Sequence, residues 1–404
     1  MSISTSNNFS VAPRDPESTF LRGVAALDES PFFGVPDSVR EVIAKYGSST
    51  KLVMLGTKDF GDHLLFLKDR GCEVVGVVDD FRYTQKVLHR GVPVISTDSF
   101  LAMSRQDDIV AFNTCRYDYS KRFFDNLCRE HGIPHINHEQ AVRVFRLQGK
   151  VDYRVDDWGK AIVENATRYL ALAKRFDDSY SVATLFGVLN FHLTCEPEYC
   201  HQIERPPSTL YYRSGLLEFS EKEKMVDCGA AMGESLAGLV GTTRGKFEHS
   251  WLIEPDRFNI QTLQKELRRY GGTPLESKIT VHGVGAGDVK DQVPFKHMGG
   301  HLGRVLSSND GLEPTDFIDV RPVDDIIDDV PTFIKIDTEG AELPALKGSR
   351  KSIIAGKPKM AISAYHRAND LLELTDFVLS VNPEYRLGLR HHSSERWDTC
   401  LYFY

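Results

Sequence analysis

Val226-Asp227-Cys228-Gly229-Ala230-Ala231-Met232-Gly233-Glu234 is the stretch on which the fold of this chain turns. An acidic residue ends an apolar run, and small residues at 229, 231 and 233 make a turn into a helical segment. Such a turn lets a ligand lie against bare backbone close to a helix N-terminus. In a dinucleotide enzyme the same geometry cradles a pyrophosphate. Here Asp227 would repel one and suits a cationic ligand instead.

Reading outward, the segments KMVDCG (224–229), HSWLIEP (249–255), KITVHGV (278–284), TFIKID (332–337) and KMAISAYH (359–366) are short apolar strands. Mostly helical stretches separate them, which implies parallel pairing. YRLGLRHH (385–392) and TCLYFY (399–404) follow with only a loop between them, as in an antiparallel hairpin. Glu254 closes the second strand, where an acid can accept both hydroxyls of a ribose. After the third strand, Gly283-Val284-Gly285-Ala286-Gly287-Asp288 reads as a turn open enough for a flat adenine edge. Three features in order at successive strand ends mark a nucleoside site, since ligands of open α/β sheets bind there.

Upstream, KLVML (51–55), EVVGVV (73–78), DDIVAFN (107–113) and GIPHIN (132–137) alternate with helix candidates GDHLLFLKDRG (61–71) and SKRFFDNLCREHG (120–132). They outline a smaller α/β unit over residues 31–150. Gly56 and Gly61 hold the outer positions of a G-x-G-x-x-G pattern, with Lys58 where the middle glycine belongs. Asp79 and Asp80 end the next strand, in position for a ribose. The fingerprint is degraded, so a scaffold or substrate-holding role is preferred to nicotinamide binding. Residues 1–30 are rich in Ser, Asn, Asp and Pro and are expected to be disordered or extended. Residues 151–220 carry helical periodicity in WGKAIVENATRYLALAKRF and SYSVATLFGVLNFHL, then the connector ERPPSTLYY, and read as a helical link to a domain at 221–404.

Composition narrows the function. With 404 residues, 41% hydrophobic and 26% charged, the chain has apolar material for two globular domains. A net charge of -8 argues against a nucleic-acid binder. Seven scattered cysteines without a C-x-x-C pair read as reduced thiols of a cytoplasmic protein. Neither a signal sequence nor a membrane span is legible, so the expected partner is a small-molecule acceptor, with a homodimer reasonable.

VDCGAAMGES, LIEPDRFNIQTL, RPVDDIIDD, FIKIDTEGAELPALKGS and KMAISAYHR together resemble the FkbM family of methyltransferases. FIKIDTEGAELPALKG is the most specific of them, and the resemblance spans about residues 195–404. It implies a class I methyltransferase-type Rossmann-like sheet, mostly parallel with an antiparallel last strand. It implies S-adenosylmethionine as cofactor, held by Asp227, Gly229, Ala231, Gly233, Glu254 and Asp288. Ala231 departs from the Asn or other polar residue of many members, which removes one possible hydrogen bond. The implied reaction is O-methylation of a sugar or natural-product hydroxyl. N-methylation of an amine or amide and a nicotinamide-dependent oxidation by the N-terminal unit are the alternatives.

Catalytic groups belong at the ends of strands four and five. Asp337 lies at the first, with Glu339 and Glu342 nearby, and Tyr365-His366-Arg367 at the second. His366 is the expected general base, because imidazole titrates near working pH, with Asp337 orienting it or the acceptor. In a second version Asp337 holds a divalent cation that activates the acceptor oxygen. Asp324 and Asp325 would assist either version or merely cap a helix, and His391 and His392 are weaker candidates. The polar, Gly-rich segment 289–315 is expected to be a mobile loop that shapes the acceptor pocket.

Overall fold

Buried runs such as Met225–Cys228, Leu252–Ile253, Phe333–Ile336 and Met360–Ile362 are apolar on both faces but for one acid and one lysine, as strands covered on both sides must be. The structure, a computed structural model, describes residues 15–26, 35–57, 64, 67–68, 71–83, 88–115, 118–144, 155–301, 303–306 and 313–404. The chain divides into two compact units, Met1–Glu164 with Phe186–Tyr199, and Asn165–Leu185 with Cys200–Tyr404.

The first unit holds β1 (Lys51–Leu55), β2 (Glu73–Val78), β3 (Leu88–His89), β4 (Val92–Ile95), β5 (Ile109–Asn113) and β6 (His135–Ile136). They form one sheet in the order β3-β4-β2-β1-β5-β6, parallel except for the β3–β4 pair. Residues Pro16–Ala26 are helical, which corrects the expectation of disorder over 1–30 for that part. Their fixed end is set by the Asp15 carboxylate, which accepts the Ser18 N–H at 3.1 Å.

The second unit carries the sheet that builds the site. Its strands are β7 (Lys224–Cys228), β8 (His249–Ile253), β9 (Ile279–His282), β14 (Phe333–Ile336), β15 (Lys359–Ser363), β16 (Leu387–His391) and β17 (Thr399–Phe403). Their order is β16-β17-β15-β14-β7-β8-β9. β7 pairs in parallel with β8 and β14, β8 with β9, and β14 with β15. β17 runs antiparallel to both β15 and β16, so the expected closing hairpin is present, with its second strand inserted next to β15. The chain turns back between β9 and β14, which puts the C-terminal ends of β7 and β14 side by side, the position at which open α/β sheets bind ligands.

Between β9 and β14 lie β10 (Gly285–Gly287), β11 (Asp291–Lys296), β12 (Arg304–Val305) and β13 (Asp316–Pro322). They form a separate four-stranded sheet in the order β10-β13-β11-β12. Two expectations change here. Gly285–Gly287 is a strand rather than a turn, and the described part of 289–315 contains the strands β11 and β12 rather than loop throughout, with 302 and 307–312 outside the described residues. Alternation in DFIDVRP explains the second sheet: Ile318 and Val320 pack on Phe295 while Phe317, Asp319 and Arg321 face away.

The expected connector at 151–220 is divided between the units, with the helix Ser179–Thr194 crossing from one to the other. Helix Ala166–Ala173 belongs to the second unit, where the Tyr169 hydroxyl donates to the Ala368 carbonyl at 3.2 Å, two residues beyond His366. No described helix is long and apolar enough to cross a membrane.

Candidate active site

The Gly-rich turn leaves β7 at Cys228 and enters the helix Glu234–Thr243. A Cβ on Gly229 would collide with the carbonyl oxygen of Asp337, so only glycine lets the turn lie against the end of β14. The backbone N–H groups of the turn are already spoken for. Gly229 and Ala230 donate to Ile253 O at 2.9 and 3.1 Å, and Gly233 donates to Ala230 O at 2.9 Å. Ala231 donates to Glu254 Oε2 at 2.8 Å and Met232 to Glu234 Oε2 at 3.1 Å. A pyrophosphate cradle needs free N–H donors, and this turn has spent its own.

Ala231 takes φ +45°, a left-handed conformation that costs an L-residue about 1 kcal/mol. Asn tolerates that region better than most residues, which explains its use there in other members of the family the sequence resembles. The expected loss of a hydrogen bond concerns only the side chain, because the Ala231 N–H is bonded to Glu254.

Glu254 stands where the sequence put it, at the end of β8 and 5% exposed. Besides Ala231 it accepts the Asp256 N–H at 2.7 Å. Burial pushes its carboxyl up and the two backbone bonds restrain the rise. Asp256 in turn takes the N–H groups of Met298 and Gly299, each at 2.9 Å, tying the segment before β12 to this corner.

Asp227 is different. No part of it is open to solvent, and its Oδ1 is 3.0 Å from the Lys335 ammonium. The expected direct contact with a cationic cofactor is therefore closed in this conformation, and the carboxylate serves the turn from beneath. Burial pushes Asp227 up while Lys335 pulls it down. Asp288 also departs from expectation: it is exposed beyond β10, in the second sheet, and no described contact ties it to the turn.

The second half of the site gathers at the ends of β14 and β15. Asp337 accepts the Tyr211 hydroxyl at 2.9 Å and the Tyr365 hydroxyl at 3.4 Å. His366 is wedged between acids, its Nδ1 3.0 Å from Glu342 Oε1 and its Nε2 3.3 Å from Glu339 Oε2 and 3.9 Å from Asp337 Oδ1. Burial opposes its charge, but Glu342, Glu339 and Asp337 together hold the imidazole well above its ordinary range. Burial likewise opposes the charge on Glu342, yet His366 and the Thr338 amide bring that carboxyl down to about 2. The three acids favour the charged form of the imidazole, which fits a residue that positions its neighbours better than one that takes a proton.

The same geometry answers the expectation of a divalent cation. Asp337, Glu342 and His366 do bring donor atoms within 4.8 Å of one another. The donors are engaged with one another: the ring nitrogens lie 3.0 Å from Glu342 and 3.3 Å from Glu339, and Glu342 Oε1 also accepts the N–H groups of Thr338 and Gly340 at 2.8 and 3.2 Å, which weighs against a metal.

The remaining candidates are scaffold. Asp324 accepts the N–H groups of Lys351 and Ser352 at 2.7 and 2.9 Å and so caps the helix Arg350–Gly356, and Asp325 lies 3.9 Å from Lys351. His391 is buried, bonded to Thr399 at 2.8 Å and pushed down to about 3 by burial; His392 is pushed down to about 4 for the same reason. In the first unit Asp79 accepts the Thr57 hydroxyl at 2.8 Å, and Asp80 accepts the Thr97 N–H and hydroxyl at 2.8 and 2.7 Å. Both acids offered to a ribose are thus engaged within the chain, while Lys58 and Gly61 lie outside the described residues. Sequence reading missed Lys335 and Tyr211. A lysine inside the apolar run FIKI was a legible signal; a tyrosine in the connector was not.

A parallel sheet closed by one antiparallel strand, with an acid-backed Gly-rich turn, is consistent with a methyltransferase-type fold. Residues 227–386 match the methyltransferase FkbM domain. The chain is 59% identical to the methyltransferase FkbM from Methylobacillus flagellatus KT, across 96% of this chain and 100% of that one, with a TM-score of 0.85. It therefore belongs to the FkbM methyltransferase family. An rRNA methylase from Streptococcus thermophilus (11% identity, 46% of this chain and 86% of that one, TM-score 0.30) and a SAM dependent methyltransferase from Aquifex aeolicus (13%, 52% and 97%, 0.29) are similar only slightly. Nothing among curated proteins matches.

Proposed function

We propose that this methyltransferase uses S-adenosylmethionine and methylates a hydroxyl on a sugar or natural-product scaffold. The observation that carries the cofactor reading is Glu254, fixed at the end of β8 by the Ala231 and Asp256 amides beside a turn with no free N–H for a pyrophosphate. When bound, the cofactor supplies an electrophilic methyl group on a sulfonium. Glu254 would accept the ribose hydroxyls, and the turn from Gly229 to Gly233 would take the methionyl end against its backbone.

In this reading Asp337 takes the proton from the acceptor hydroxyl. It abuts the turn through its own backbone, and its carboxylate is aimed by two phenols and, from 3.9 Å, by the His366 imidazole. His366 keeps Asp337 and Glu339 apart and in place, so the carboxylate meets the acceptor without rotating away. Engagement of Asp79 and Asp80 within the first unit weighs against the oxidoreductase alternative. Incubation with methyl-labelled S-adenosylmethionine and parallel panels of sugar hydroxyls and aliphatic amines tests the reading. Label is expected in the hydroxyl panel and lost in Asp337→Asn. Label confined to the amines would move the assignment to N-methylation.

A further inference from the structure

The proposed transfer makes no use of Lys335, the third residue of β14 and 3% exposed. Taking an ammonium out of water costs several kcal/mol, so its place in a sheet core needs a compensating role. Its contacts suggest one. Nζ lies 3.0 Å from Asp227 Oδ1 and donates to the Gly229 carbonyl at 2.6 Å. It also sits 5.6 Å from the centre of the Tyr211 ring, within cation–π range. That same tyrosine donates its hydroxyl to Asp337. Burial opposes the ammonium charge, and Asp227 and Asp337 outweigh it, so Lys335 stays cationic between the two carboxylates.

One cation thus touches both halves of the site. Through Gly229 it fixes the first peptide of the cofactor turn, the one whose glycine lies against the Asp337 backbone. Through Tyr211, itself held at φ +63°, it fixes a phenol that aims the Asp337 carboxylate. Asp227 faces only the protein, which suits a counter-ion and not a ligand contact.

We propose that Lys335, locked by Asp227, is the positioning residue that holds the cofactor turn in register with Asp337. The inference rests on the S-adenosylmethionine reading above. It differs from a purely structural role in one respect: the pair would be needed for cofactor affinity even where it is not needed for folding.

Removing both charges together separates the two. Replacing a buried pair by neutral groups of similar size is often neutral for stability, whereas removing one partner strands a buried charge. The full-length Asp227→Asn/Lys335→Met variant is titrated with S-adenosylmethionine by calorimetry, with its melting temperature measured in parallel. The expected result is a melting temperature near the parent's with affinity reduced at least tenfold. Parental affinity at unchanged stability would overturn the proposal. Should the double variant not fold, Lys335→Arg keeps the charge while replacing a compact ammonium by a bulkier planar group in a closed site, which moves the donors away from their present positions on Asp227 and Gly229. A folded Lys335→Arg protein with tenfold weaker binding supports the positioning role, and parental binding overturns it. A parent protein silent toward S-adenosylmethionine would instead fell the cofactor reading on which the inference stands.

Discussion

Replacing Glu254 with Ala should separate the cofactor reading from the fold more cleanly than any other single change. In the structure this carboxylate already accepts two backbone N–H groups, from Ala231 at 2.8 Å and Asp256 at 2.7 Å. Each carboxylate oxygen has a second lone pair, so two ribose hydroxyls could each donate to it. A hydrogen bond to a charged group contributes about 1.5–3 kcal/mol, and water recovers part of that once the carboxylate is gone. A net loss of about 3 kcal/mol corresponds to roughly a hundredfold weaker binding. Stranding the Ala231 and Asp256 amides adds a stability cost of about 1–2 kcal/mol, or a melting temperature lower by about 2–8 °C for a domain of this size. Calorimetric titration with S-adenosylmethionine and a thermal melt measure the two effects separately. Unchanged affinity in a folded Glu254→Ala protein would refute the assignment of the ribose to this corner.

Ala231→Gly should raise stability by about 0.5–1 kcal/mol, because glycine relieves the left-handed strain at φ +45° at some cost in unfolded-chain entropy; a thermal melt checks it. Acid sensitivity follows from the His366–Glu342 pair. Glu342 lies at about 2 in the folded chain against an ordinary 4.5, so its contribution is present above pH 4.5 and lost as pH falls toward 2. His366 is raised, so its contribution is full below pH 6.5 and fades as pH climbs through its elevated value. Denaturant melts across pH should show stability dropping below pH 4.5, and His366→Gln should flatten that limb while costing about 3–5 kcal/mol, the penalty for one partner of a buried pair. Added magnesium or manganese should leave the melting temperature unchanged, since the ring nitrogens of His366 face carboxylates and not an open coordination position; a clear upward shift would restore the cation.

The strand ends that make the site were legible because parallel strands buried on both faces must be nearly all apolar, so an interrupting acid such as Glu254 or Asp337 stands out. The turn was legible because four small residues in five, Gly229, Ala230, Ala231 and Gly233, permit a tight backbone approach that larger side chains would block. What could not be read was the partner of each charge. Asp227 looked like a ligand group until Lys335, more than a hundred residues later, proved to fill its only open side. His366 looked like a base until three acids from the DTEGAE stretch closed around it, favouring the charged form of a group that otherwise titrates near neutrality. The glycines at 283–287 failed differently. Gly285 and Gly287 serve close packing, since a Cβ on either would crowd the Val320 side chain, and composition cannot distinguish that use from a ligand-binding turn. Pairing with charges elsewhere in the chain, not local pattern, decided the roles of Asp227 and His366.

Calorimetric titration of the unmodified protein with S-adenosylmethionine, and separately with NAD, tests the central claim most directly. The account expects saturable binding of S-adenosylmethionine at one site and no response to NAD. A clear response to NAD with silence toward S-adenosylmethionine would contradict it and move the ligand site to the first unit.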